Sequence, residues 1–330
     1  MNIMTTYSRW LLGLTSFCVS GLAVASALGA DAPYHLLKEI PVGSAGGYDY
    51  LTVDPAARRL YVSHGTKAVV IDIDKNTVVG EIGDTPGIHG IAIAPELKRG
   101  FTSNGREAKA SIFDLESLKT LSKVETGPNP DAILYEPGQQ EVYTFNGRGN
   151  SATVIDAKTG KVVATIALSG KPEFAVADVK AGRVYNNIEN KNLIDVIDTK
   201  THKVAASWPI APGEEASGMA FDAEHHRLFI GCHNKMMAMI DSTNGKVVGT
   251  VPIGDGVDAN AFDPASQLAF SSNGEGTVTI AHEDAPDKLT VVQTLKTEPR
   301  ARTMTLDIKS HNIYLSVGSG DNFKVLVYGK

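Results

Sequence analysis

Cysteine is almost missing from this chain: two in 330 residues, Cys18 and Cys232. No C-x-x-C, H-E-x-x-H or G-x-S-x-G occurs. The disulfide framework, the helical zinc protease and the strained nucleophile turn are therefore excluded. Aromatic residues are sparse at 7%, and 37 acidic residues outnumber 31 basic ones, for a net charge of -6. A mildly acidic surface with few stacking platforms disfavours nucleic acid as a ligand. Its basic residues Arg58, Arg59, Lys98 and Arg99 also fall in turns rather than in one groove. Convincing 3.6-residue periodicity is lacking too, so helices should be scarce.

What is present begins with a segment unlike the rest. Arg9 is the only charge near "WLLGLTSFCVSGLAVASALGA", which ends in small residues at "ASA" and "LGA". A positive start, a short apolar run and a small-residue exit describe an export signal. Its most apolar part falls short of the ~20 residues of a membrane span. Phe17 before Cys18 is too large for a lipidation signal. The expected organisation is a cleaved signal over 1–30 and one domain over 31–330, placed in the periplasm with no membrane span left. Cys232 then remains without an internal disulfide partner.

From residue 47 onward one pattern occurs seven times. The residue five before the first turn is in succession Asp49, His89, Asp131, Glu173, Ser217, Asp258 and Arg302, at spacings of 40, 42, 42, 44, 41 and 44. Each is followed by an apolar alternation, a turn such as "VDPAARRL" or "FDAEHHRL", and a second strand such as "YVSH" or "YTFN". Third strands include "KAVVIDI" and "SATVIDA", and fourth strands "TVVGEIG" and "KVVGTVPIG". Four β-branched strands per ~40-residue unit predict a propeller blade. The seventh copy stops after "FKVLVYGK", while "YHLLKEIPVG" near the start is an orphan fourth strand. The fold expected is all-β: a seven-bladed propeller of four antiparallel strands per blade, its last blade closed by residues 34–42. Closure removes open sheet edges.

The stretches "LYVSH…VVIDIDKNTVVGEIG" and "VYTFN…ATVIDAKTGKVVATIAL" resemble the YVTN-type repeats of exported bacterial seven-bladed propellers, the YncE-like family. The resemblance covers roughly residues 34–330 and implies fold and export. That family is a scaffold with varied roles, so function must come from the site.

Recurring aspartates serve the scaffold. Asp54, Asp222, Asp263 and Asp307 stand at the first turn, and Asp72, Asp114, Asp156, Asp198 and Asp241 end the third strand, where a carboxylate accepts nearby backbone N–H groups. "DIDKN" at 72–76 lacks the glycine and terminal glutamate of a calcium loop. "GRGNSA" at 147–152 lacks the helix that a dinucleotide fingerprint needs. His225 and His226 read as solvated turn residues on the face opposite the candidate site. His233 beside Cys232 reads as ordinary packing.

Residues that differ between copies carry the functional reading. In a propeller the first strands line the channel, so Asp49, His89, Asp131, Glu173, Ser217, Asp258 and Arg302 should ring one mouth. Four carboxylates and one arginine leave that ring at -3 with His89 neutral. Crowded carboxylates raise one another's pKa unless a cation intervenes, and Arg302 falls between Asp258 and Asp49. A second ring is expected from the exits of the second strands, with His64, Asn104 and Asn146 as polar members and Tyr48 and Tyr50 nearby. The binding set is Asp49, His89, Asp131, Glu173, Asp258 and Arg302. His64, His89 and Asp49 are the candidate ligands of a divalent metal, zinc or copper by donor type.

The expected function is an exported periplasmic binding or interaction protein, monomeric, with the channel mouth taking a cation, a small polar ligand or a periplasmic protein partner. The alternative is a metal-assisted lactonase, lyase or hydrolase, with His89 as general base. The sequence leaves both cofactor and catalysis open.

Overall fold

A computed structural model describes residues 1–2, 33–44 and 46–330. The chain divides into Met1–Ala32 and Pro33–Lys330; the expected export signal falls on residues outside the described ones. Among the described residues no helix is long and apolar enough to cross a membrane.

Residues 33–330 form seven four-stranded antiparallel sheets. Blades 1 to 6 span 48–82, 88–125, 130–167, 172–209, 216–252 and 257–296. Blade 7 holds Met304–Asp307, Asn312–Val317 and Lys324–Gly329, completed by His35–Pro41. That closing strand pairs from His35 with Gly329 to Pro41 with Lys324. First strands of successive blades adjoin one another, and that of blade 7 adjoins that of blade 1, so the ring is closed. Among the described residues three single-turn 3-10 helices complete the structure.

The local causes are repetitive. Asp54 Oδ1 accepts the N–H groups of Ala56 and Ala57 at 3.0 and 2.9 Å. Asp72 Oδ1 does the same for Asp74 and Lys75 at 3.1 and 2.9 Å. Short carboxylates thus satisfy turn donors that no ladder reaches. The third residue of every second strand is aromatic: Tyr61, Phe101, Tyr143, Tyr185, Phe229, Phe270 and Tyr314. All seven are fully or almost fully buried, each worth roughly 1.5–3 kcal/mol of burial. They recur every blade because a sheet stacked face to face needs one large residue at the same depth.

The seam between blades 7 and 1 carries an extra fastener. Arg58 Nη1 donates to Asp307 Oδ2 at 2.7 Å. On the other side of blade 7, Tyr34, just before the closing strand, exchanges two hydrogen bonds with the side chain of Gln293 in blade 6 at 2.9 and 2.8 Å. Blade 6 departs from the others: its outer strands Thr277–Ala285 and Lys288–Lys296 run nine residues each.

Candidate functional site at the channel mouth

Each acidic or basic member of the ring is placed by the same backbone device. In blade 1 Tyr48 pairs with His64 and Leu51 with Val62, so Asp49 and Tyr50 together face Ser63 alone. The same one-residue excess recurs at His89, Asp131, Glu173, Ser217 and Asp258. A β-bulge re-aims side chains, and here it turns the second residue of six first strands toward the axis. Arg302 precedes the shorter first strand of blade 7, Met304–Asp307.

Three blades meet closely. His89 Nδ1 lies 2.6 Å from Asp49 Oδ2 and 3.4 Å from Asp131 Oδ1. One ligand atom from each of the three falls within 4.8 Å of the others. Their side chains keep only 17–28% exposure. Glu173 lies one blade further, with Lys171 Nζ 3.5 Å from its Oε2. On the other side Arg302 Nε stands 3.4 Å from Asp258 Oδ2. The expected neighbours of Arg302 are Asp258 and Asp49; the contact is with Asp258, and the charge of Asp49 acts at longer range.

The electrostatics follow from burial. Desolvation raises the pKa of Asp49 and of Asp258 above the ordinary carboxylate value. Asp131 is pushed up to about 6, by burial first, with His89 opposing and Asp49 adding. Glu173 is pushed up to about 8, by burial and then by the charge of Asp131. Burial alone would lower His89, but the hydrogen bond it donates to Asp49 and the charges of Asp131 and Asp49 outweigh it and raise the imidazole. The ring is therefore a set of carboxylates that ionise with difficulty, because burial disfavours their charged forms and neighbouring carboxylates repel one another.

Tyr50 forms the floor. It belongs to blade 1, yet its hydroxyl reaches Glu173 of blade 4, and its ring lies 5.5 Å from that of Phe174. Beneath it a cavity of about 60 Å³ is lined by Ile91, Ala132, Phe145, Phe174 and Ala175. The mouth is thus a polar cup on an apolar base.

The second expected ring requires correction. His64, Asn104 and Asn146 are buried to 0–1% exposure. Asn104 Nδ2 donates to Ser111 Oγ and Glu107 Oε1, both at 2.8 Å. Asn146 Nδ2 donates to Ser151 and Thr153 of its own blade. His64 stacks on Phe323 at 4.1 Å, with Nε2 3.0 Å from Ser44 Oγ. His64 therefore does not join His89 and Asp49; Asp131 takes that place. Strand side chains alternate faces, so an error of one residue exchanges interior for mouth. The residues that follow these exits face the ring instead. A Cβ at Gly105 would lie 2.7 Å from His89 Nε2, and one at Gly147 3.9 Å from Asp131 Oδ2. The equivalent residue in blade 4 is Glu189, ion-paired with Lys171, and in blade 5 it is His233, whose charge acts on Asp258. That one-residue shift makes Glu189 legible in the sequence; Lys171, two residues before Glu173, is not reached by it. Tyr48 donates to the carbonyl of Arg300 at 2.8 Å and stacks on Phe323, beside the cup rather than in it.

The fold and this mouth define the chain as a seven-bladed β-propeller. No family model matches it, and no curated protein matches it. Among solved structures it is similar to a chain of the Kuenenia stuttgartiensis hydrazine synthase structure, at 16% identity and TM-score 0.75, over 86% of this chain and 96% of that one. It is also similar to a chain of a mitotic checkpoint complex structure, at 12% identity and TM-score 0.78, over 100% and 99%. At such identities the likeness is one of fold alone.

Proposed function

We propose that the protein is an exported, YVTN-type binding propeller whose channel mouth takes a cation, either a divalent metal ion or a small cationic ligand. The observation that carries this reading is the convergence of Asp49, His89 and Asp131 from three consecutive blades. One imidazole and two carboxylates suit a transition cation such as zinc. Such an ion would displace the proton that now lies between His89 and Asp49, and would relieve the repulsion that raises Asp131 and Glu173. Periplasmic export and the YncE-like affinity belong to this reading through the sequence.

A thermal-shift screen of chelator-treated protein against divalent metals and small polyamines tests it. Wild type should be stabilised by at least one compound to a greater extent than Asp131→Asn, and the two should melt alike without it. Equal shifts in both proteins across the screen would overturn the assignment.

The short His89–Asp49 contact favours a second reading, hydrolysis or lactone opening at the same mouth. A carboxylate that fixes one imidazole nitrogen leaves the other to act as general base. Turnover of a lactone and ester panel that falls on His89→Ala would support it; no turnover with any added divalent ion would exclude it.

A further inference from the structure

At the opposite end of the first strands a second set of donors converges, and the repeat itself shows what is unusual there. The residue after the third strand is Ile73, Leu115, Ala157, Thr199 and Ser242 in blades 1 to 5, and its counterpart in blade 6 is Glu283, inside the longer strand Thr277–Ala285. The equivalence is exact in the backbone: each donates its N–H to the carbonyl just ahead of the second strand, at Arg58, Lys98, Gln140, Gly182, His226 and Gln267. Five blades place an apolar or small hydroxyl side chain at this position. Blade 6 places a carboxylate.

Glu283 has no side-chain exposure, and neither of its carboxylate oxygens has a hydrogen-bond donor. A buried unpartnered carboxylate is costly, so its surroundings matter. His225 Nδ1 of blade 5 lies 3.5 Å from Glu283 Oε1 and 2.8 Å from Asp222 Oδ2. Neither approach has hydrogen-bond geometry, and His225 Nδ1 is itself unpartnered. One ligand atom from each of the three lies within 4.8 Å of the others. Backbone N–H groups of Glu224 and His225 hold the Asp222 carboxylate at 2.9 and 3.2 Å. In blade 6 the corresponding Asp263 instead accepts an ordinary hydrogen bond from His311 at 2.8 Å. His225 is thus not the solvated turn residue that the sequence suggests.

We propose that Asp222, His225 and Glu283 form a second divalent-metal site, distinct from the channel mouth, that clasps blade 5 to blade 6 with a zinc-like ion. Calcium and magnesium want more oxygen ligands than two carboxylates provide. An imidazole with two carboxylates suits zinc or cobalt, the partly exposed His225 side leaving room for water. Six blades share this backbone place, so what singles out blade 6 is the side chain it puts there, Glu283, within the longer strand Thr277–Ala285.

The test uses full-length mature protein carrying Asp131→Asn, which removes the channel mouth from the readout. After chelation and desalting, Zn²⁺ at about 100-fold excess over Kd should raise Tm by about 5 °C, and Co²⁺ should give visible absorption bands. Glu283→Gln and His225→Ala, each added to that protein, should abolish both signals while retaining the native circular dichroism spectrum. Glu283→Gln is close to isosteric and His225 is partly exposed, so at least one should fold. If the parent gives neither signal, or both variants keep them, the site does not exist.

Discussion

Tyr50 Oη donates a hydrogen bond to Glu173 Oε1 at 3.2 Å, although the two residues are 123 apart in the chain and sit in blades 1 and 4. The phenol stays protonated because burial and the surrounding carboxylates raise it well above its ordinary value. It therefore crosses the channel as a fixed donor beneath the acidic ring. Glu173 keeps its proton to about 8 in the folded chain, against an ordinary value of 4.5. Between those values the native state holds the extra proton, so stability falls as pH rises across the window, by at most ~1.4 kcal/mol per unit. Glu173→Gln removes that loss. Melting curves of chelated protein should coincide at pH 5 and favour the variant at pH 9; equal pH profiles would refute the assignment.

Gly105 sets the position of His89. A methyl group there would stand 2.7 Å from Nε2 and 2.8 Å from Cδ2 of the imidazole. Gly105→Ala should leave the blade intact, because the ring tip can move, but would swing His89 away from Asp49. We expect a Tm within about 3 °C of wild type, with cation affinity at the mouth reduced at least about tenfold. Titration calorimetry of the variant checks this, and unchanged affinity would show that His89 is not a ligand.

Much of this architecture could be read from the letters. Seven copies with fixed turn aspartates and a missing final strand specify the blade count and the closure by His35–Pro41. The inner ring was also readable, since it is one residue per repeat at a constant offset. The bulge was not, because it depends on which residues share a ladder partner, and pairing is absent from a linear string. That is why His64, Asn104 and Asn146 look like mouth residues in sequence and are interior in structure. Glu283 escaped for a different reason: blade 6 lengthens its hairpin, and His282 rather than an aspartate ends the aligned segment.

Cys232 lies buried at the end of the second strand of blade 5. Burial pushes its thiol up to about 12, and only the thiolate attacks a disulfide reagent. A chain of residues 33–330 should resist labelling in its native state at pH 8 for hours, with one thiol appearing in denaturant. Rapid stoichiometric labelling of the folded protein would place Cys232 in an accessible, functional setting instead.

Arg58 joins the two ends of the ring. Its Nη1 lies 2.7 Å from Asp307 Oδ2, whose side chain is fully buried, while its Nε meets the exposed Asp74 at 2.9 Å. Burial opposes ionisation of Asp307, but the hydrogen bond from Ser310 and the Arg58 contact outweigh it and lower its pKa. The pair therefore stabilises the native state above the unfolded carboxylate value and is lost as pH falls through the folded one. Arg58→Ala should cost about 3 kcal/mol, the low end for a stripped buried pair, because Ser310 and the Lys309 amide remain on Asp307. Asp74→Ala breaks only the exposed contact and should cost less than about 1 kcal/mol. Urea unfolding of the two variants at pH 7 measures the difference. Since Asp307 belongs to blade 7 and Arg58 to blade 1, the larger loss would mark the closing seam as a weak point of the ring, and equal losses would remove that role.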